Sequence, residues 1–490
     1  MAKNTPNLES VTTINRDGSR YFLFPADVDG KFALMRRIVG ILLIGFYLLL
    51  PWIPVNGYPA VFLDIINRRF HLFGITIVAQ DLWLLFFLIT GVAFFLFYIT
   101  AFLGRVWCGW ACPQTVYLDQ VYRRIERWID GDAPARRKLA DAPLSTNKVV
   151  RRVIKHGLYI LSSTLIVHLF LSYFISIPQL WDWMRTSPAE NWGAFLFVIA
   201  STLVLYGNFA WFREQLCLII CPYGRIQSAL IDDHTVNVAY DEKRGEPRGK
   251  IHKGEATSTL GDCVDCHRCV QVCPTGIDIR QGLQLECIAC TACIDACDDI
   301  MDKVNRPRGL IRYASSSALA GGKTRFIRPR TLLYTGLLLL GMGVCGVAVS
   351  GVKSVEATIL RMVGMPYYVT TDTIRNQYQV RLINKTTEPV HFSIHAERGP
   401  AGMQFTGFDA DQSLGAMAEE TRTVIATVPR SNYQGPFEVE VEITLRETGL
   451  VIERSIDFLG PDPKLLQAHD STPKQDDDHD EKKSDHAHGN

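Results

Sequence analysis

Apolar residues gather in five long blocks, near 38–55, 80–103, 156–177, 192–213 and 331–350. Each comes close to the roughly 20 residues a helix needs to cross a bilayer, so five spans are predicted. A sixth stretch, 58–79, is interrupted by Asp64, Arg68 and Arg69. It is expected to form an extracytoplasmic loop or a re-entrant hairpin. Beyond residue 355 the pattern changes. Val380 and Leu382, then Val439, Val441, Ile443 and Leu445, alternate with polar neighbours, the period of a half-buried strand. Turn residues recur between such runs (Asn384-Lys385, Arg398-Gly399-Pro400, Gln434-Gly435-Pro436). Residues 355–460 therefore predict an immunoglobulin-like β-sandwich, without a cysteine to staple its sheets. It shows no catalytic constellation and is expected to dock a partner.

Charge orients the spans. Residues 104–155 hold eleven Lys/Arg and 214–330 hold sixteen, whereas 56–79 and 178–191 hold two and one. Cytoplasmic loops carry the basic excess, so the N-terminus and both basic stretches are expected in the cytoplasm. Everything after about 352 is expected outside. The first 30 residues are polar, which predicts no cleavable leader. Net charge is +1, so no overall field argues for nucleic acid.

The fold class expected is multi-domain: an α-helical membrane bundle of five spans, an inserted α+β two-cluster ferredoxin domain and a C-terminal all-β sandwich. The divisions are a cytoplasmic segment (1–37), a four-span membrane domain (38–230), a cytoplasmic ferredoxin-type domain (231–330), the fifth span (331–352), the periplasmic sandwich (355–460) and a tail (461–490). The tail is polar and mixed in charge, so it is expected to be disordered. Its histidines, His469, His479, His486 and His488, read better as solubilising residues than as ligands for Cu²⁺ or Zn²⁺.

Thirteen cysteines could signal a secreted disulfide scaffold, but they are clustered in a long chain, which favours metal binding. Eight form two runs: Cys263, Cys266, Cys269 and Cys273, then Cys287, Cys290, Cys293 and Cys297. This C-x2-C-x2-C-x3-C spacing is that of bacterial two-cluster ferredoxins, in which the fourth cysteine of each run ligates the other cluster. Cluster one is expected on Cys263, Cys266, Cys269 and Cys297, and cluster two on Cys287, Cys290, Cys293 and Cys273. Pro274 follows the first run but Asp298 follows the second. Two tandem runs leave little room for zinc or disulfides. Their thiols must stay reduced, which agrees with a cytoplasmic location.

Four more cysteines lie where the second and fourth spans end. Arg105 leads into Cys108-x3-Cys112-Pro113, and Arg213 into Cys217-x3-Cys221-Pro222, with Tyr117 and Tyr223 after them. This reads as an internal duplication. Cysteines at i and i+4 share a helix face, and two packed units would bring four soft thiols to one depth. Copper, a further cluster, a reducible disulfide and the edge of a quinol pocket all stay open. The plain alternative is cysteine packing between helices. His156 and His168 on the third span, and Met342 with Cys345 on the fifth, are weaker candidates.

The whole chain resembles the accessory proteins of cbb3-type cytochrome c oxidase, the CcoG/FixG/RdxA family. The resemblance rests on the five spans, WCGWACP at 107–113, CLIICP at 217–222, the double ferredoxin run and the outer β-domain. It implies a multi-pass protein of the bacterial inner membrane. The implied activity is cupric reduction, Cu(II) to Cu(I), for building the haem–copper centre. Cys108, Cys112, Cys217 and Cys221 would then be the redox or copper residues. The implied partners are the oxidase assembly machinery and a copper transporter or chaperone; a homodimer stays open and no electron donor is named. The half carrying the Cys-x3-Cys-Pro motifs also resembles the quinol-oxidising membrane component of periplasmic nitrate reductase systems. Quinol oxidation, or a redox-sensing assembly scaffold, is the alternative.

Overall fold

The apolar blocks become helices. The computed structural model describes residues 21–78, 81–250, 260–407, 412–447 and 449–464. Among these, five helices are long and apolar enough to cross a membrane: Lys31–Trp52, Trp83–Leu103, Thr146–Leu171, Trp192–Phe212 and Pro329–Ser350. Two begin well before their apolar stretches. The first starts at Lys31, not 38, because the Asp295 carboxylate accepts from the backbone N–H groups of Phe32 (3.2 Å) and Ala33 (2.6 Å). An anion at that end satisfies free donors and faces the positive end of the helix dipole. The third starts at Thr146, where Ser145 Oγ accepts from the Lys148 amide, and its first turns are basic. It ends at Leu171, not 177. The tail histidines lie outside the described residues.

The connection between the first two spans is built of strands among its described residues, not of irregular loop. Val61–Asp64, Arg69–Leu72 and Ile75–Ile77 form a three-stranded antiparallel sheet. Alternation places His71 inside it, bonded to Thr76 Oγ1 at 3.0 Å and stacked on Tyr58.

The chain divides into two compact units, Met1–Gly351 and Val352–Asn490. The second is a β-sandwich. One sheet orders Gln404–Thr406, Glu419–Pro429, Thr373–Asn384 and Val355–Arg361, with Tyr368–Val369 paired to the third. The other orders Gln412–Leu414, Val390–Arg398, Phe437–Leu445 and Val451–Phe458. The alternating residues Val439, Val441, Ile443 and Leu445 all face the core, as their period requires.

In the first unit, the cysteine-rich segment docks against the ends of the spans. Strands Asn237–Tyr240 and Ile311–Ala314 pair antiparallel and frame it. Val236 N donates to Phe102 O at 2.9 Å. Gly104 ends the second span with φ 56°, and a Cβ there would collide with the Asn237 side chain.

Buried charges brace this junction. Arg213 holds Glu126 through two bonds, 3.0 and 3.2 Å, and Arg136 adds a third at 3.5 Å. Arg123 joins Asp119 (2.5 Å) to Glu214, and Arg36 also pairs with Asp119. Burial opposes ionisation of Glu126, yet Arg213, Tyr159, Lys155 and Arg136 together pull its pKa down to about 2.

Removing one partner of a buried pair costs about 3–5 kcal/mol, because the other charge stays desolvated. Glu126→Gln is therefore expected to lower the thermal midpoint clearly near neutral pH. The Glu126 carboxyl is more acidic folded than unfolded, so its contribution is full above its ordinary value of 4.5 and fades as pH falls toward about 2. The gap between wild type and variant should hold steady down to about pH 5 and narrow below it. A gap that widens in acid would refute this account.

Candidate functional site

The two cysteine runs fold alike. Asp265 and Ala289, each before the second cysteine of its run, have φ 53°; His267 and Thr291, each after it, have φ 55° and 63°. Left-handed residues turn backbone N–H groups inward and make a nest for an anionic core. Helices Arg268–Gln271 and Ala292–Lys303 follow.

Cys263, Cys266, Cys269 and Cys297 line one cavity of about 360 Å³. Cys273, Cys287, Cys290 and Cys293 line another of about 350 Å³, and Cys269 borders both. Each set of four draws its last member from the other run. Ile300, Met301 and Ile311 line the first, together with His267, Arg268 and Arg280, and Ile277, Ile279 and Ile288 line the second. Burial pushes the thiols of Cys269, Cys287 and Cys297 up to about 12 and that of Cys290 to about 11. Four soft donors around one cavity fit an iron–sulfur cluster, and loading one must release protons. Cys266 is exposed, whereas Cys290 is buried, so the first cavity opens to the surface.

The membrane-edge motifs share a backbone. Gly104 (φ 56°, ψ −126°) corresponds to Arg213 (φ 52°, ψ −119°). Cys112 N donates to Trp107 O at 2.9 Å, and Cys221 N donates to Leu216 O at 2.8 Å, the same widened i→i+5 turn. Cys112 and Cys221 are both extended and both precede a proline that opens a helix. The cysteines of a pair thus do not sit on one helix face, because the helix breaks between them. The two arginines are not equivalent either: Arg213 matches Gly104, and Glu214 matches Arg105. Nor are the tyrosines, since Tyr223 matches Gln114.

The structure nevertheless brings the four thiols together. Burial first, then the neighbouring Cys112 and Cys221, push Cys108 up to about 11, against a hydrogen bond from Gln227 that lowers it. Burial, then Cys112, Cys108 and Cys221, push Cys217 up to about 12. Among the described residues no three His, Cys, Asp or Glu side chains converge at single-ion distance, so the quartet is more open than a finished one-ion site.

The quartet touches the second cysteine cavity. A Cβ on Gly109 would lie 2.6 Å from both Ile288 O and Ala289 O, the backbone between Cys287 and Cys290. Arg36 Nε donates to Gly109 O at 2.6 Å. Arg105 donates to Leu285 O, and to Gly224 O at 2.5 Å. Trp110 Nε1 donates to Tyr313 Oη at 3.2 Å. Sequence reasoning missed Gly109, Gln227 and the Trp110–Tyr313 pair. The one signal was a glycine between two tryptophans inside a cysteine motif.

Residues 212–316 match the family described as a 4Fe-4S dicluster domain, and residues 82–131 a 4Fe-4S binding domain. Residues 345–461 match the IG-like fold at the C-terminal of FixG. The chain is 38% identical over 400 residues to Protein RdxA of Cereibacter sphaeroides, covering 78% of this chain and 83% of the relative. It is 34% identical over 460 residues to the nitrogen fixation protein FixG of Rhizobium meliloti, covering 84% and 87%. The chain belongs to the FixG/RdxA family. It is an iron–sulfur electron-transfer protein of a membrane. The ferredoxin-type protein NapH of Haemophilus influenzae is 24% identical over 266 residues, covering 51% of this chain and 75% of that one. Both iron–sulfur matches reach the membrane edge: one spans Cys108 and Cys112, the other Cys217 and Cys221.

The weaker candidates are accounted for. His168 Nδ1 bonds Thr164 O at 2.8 Å on its own helix, and His156 Nδ1 bonds Tyr206 Oη at 3.0 Å. Met342 is exposed on the fifth span.

Gly109→Ala forces the first motif off the Ile288–Ala289 backbone. Overpacking of this kind costs about 1–3 kcal/mol. The variant should show a lower thermal midpoint and a reduced iron content, although Gly109 is no ligand. Unchanged values for both would mean the contact carries no weight.

Proposed function

We propose that this protein reduces Cu(II) to Cu(I) at the membrane-edge thiols, on behalf of cbb3-type oxidase assembly. One observation carries the reading: the Cys108 motif packs backbone to backbone on the loop between Cys287 and Cys290. When bound, the two 4Fe–4S clusters supply single electrons, which matches the one-electron step from Cu(II) to Cu(I). Cys263, Cys266, Cys269 and Cys297 hold one, and Cys287, Cys290, Cys293 and Cys273 the other. Gly109 sets the close approach, and Arg105 ties both repeats to the cluster loop. Copper is the substrate. Cys108, Cys112, Cys217 and Cys221 bind it, lose protons as they do so, and favour the soft Cu(I) product. The basic loops support a cytoplasmic location for the clusters in a bacterial inner membrane, with the sandwich periplasmic and docking the partner that receives Cu(I).

A second reading has one specific observation behind it. A cavity of about 830 Å³ is lined by His156 and Tyr159 beside the ion-paired Glu126, Asp130, Lys155 and Arg213, and His156 would be the proton acceptor quinol oxidation needs.

Two experiments test this. Cys297→Ser should abolish the same paramagnetic signal as Cys263→Ser, and Cys273→Ser the same one as Cys287→Ser; ligation within each run would pair them the other way. Anaerobically reduced protein should convert added Cu²⁺ to Cu(I), captured by a chromophoric chelator, in step with reoxidation. Cys108→Ala/Cys112→Ala should fail while keeping its iron. Reoxidation by a quinone but not by copper would replace the copper reading with the quinol one.

A further inference from the structure

A cavity distinct from both cysteine cages opens where helix Lys31–Leu49 passes the segment after Pro113. It has a volume of about 820 Å³ and is lined by Arg36, Arg37, Arg123, Arg124, Arg127 and Arg136. Only two carboxylates, Asp27 and Asp119, share that lining. Asp119 is already held by Arg36 and Arg123, and Asp27 by Arg127 at 3.1 Å. Arg136 is committed to Glu126. Arg37 and Arg124 make no ion pair with any described carboxylate. The buried Nε–H groups of Arg37, Arg123 and Arg136 find no acceptor. Burial first, then the neighbouring Arg37 and Arg127, make Arg124 easier to deprotonate.

Arg123 and Arg136 also draw on Glu214 and Glu126 from outside the lining, so the charge left over is that of Arg37 and Arg124, and part-buried cations are costly without a counter-charge. Guanidinium forks match phosphate oxygens two at a time. Arg36 and Arg37 lie near the start of a membrane-crossing helix, which is the depth of a lipid headgroup. We propose that this cavity binds a phosphate-bearing anion, drawn either from an anionic phospholipid or from a soluble phosphate ester. Val272 and Pro274, which flank Cys273, and Ala292, which precedes Cys293, form its far wall. The occupant therefore lies against the loops that carry two thiols of the second cage. This inference does not depend on copper.

The test uses the full chain with its clusters. In one arm it is reconstituted into phosphatidylcholine nanodiscs with or without phosphatidylglycerol, and retained lipid is counted by native mass spectrometry. In the other, pyrophosphate is titrated in detergent and followed by thermal shift. Wild type should bind in at least one arm. Binding of phosphatidylglycerol identifies the headgroup, and binding of pyrophosphate alone identifies a soluble ester. Arg37→Gln/Arg124→Gln, which removes the two arginines without a carboxylate partner, should weaken binding by about tenfold or more. Arg37→Lys keeps the charge but not the fork and should fall between, and iron–sulfur absorption reports that each variant is folded. No binding by wild type in either arm, or undiminished binding by the folded double variant, overturns the proposal.

Discussion

The arrangement depends on how closely two backbones approach at Gly109. The carbonyls of Ile288 and Ala289 occupy the space a side chain would take. No other residue type lets a cysteine-bearing turn at the membrane edge lie directly on a cluster-binding loop. This contact joins the first membrane-edge cysteine motif to the second cysteine cage. Arg36 and Arg105 hold it in place by donating to backbone carbonyls on both sides, and Asp295 fixes the cysteine-bearing helix to the first span.

Such a junction must place polar and charged groups where water is scarce. A buried ion pair gains little over a hydrophobic contact, but a buried charge left alone is expensive. The chain answers with a shared network: Glu126 accepts from two arginines, Arg123 spans two carboxylates, and the partners come from both repeats. The network thereby fixes the register of the first repeat against the second, and with it the depth of the four thiols. The arginine-lined cavity beside it is where this neutralisation is incomplete.

Much of this was legible in the sequence, for a reason that varies by element. Spans are set by composition over about 20 residues, so all five were readable, and their ends shifted, most at the starts of the first and third, where Asp295 and Ser145 cap them. The ferredoxin ligand sets follow from spacing alone, and the two cavities gather the cysteines that the spacing assigns. The sandwich announced itself through alternation. The sheet at 61–77 did not, because its strands are three or four residues long, too short for a period to register. The shared helix face of each cysteine pair also failed: i, i+4 spacing presumes an unbroken helix, and the widened turn before each proline breaks it. Gly109 was illegible because its importance comes entirely from a loop about 180 residues away.

The duplication is closer in backbone than in side chains, and the difference has a physical logic. Helix ends, widened turns and prolines repeat because they place the thiols, and four thiols can only converge if both halves present them alike. Around that common frame the halves diverge. The first repeat offers glycine at 109, so the cluster loop can lie on it, whereas the matching position in the second is Leu218. Arg105 reaches outward to Leu285, whereas its counterpart Glu214 turns inward to Arg123. One repeat is thus committed to the cluster-bearing segment and the other to the charge network. Symmetry is kept where the thiols are placed and given up where the two repeats meet different neighbours.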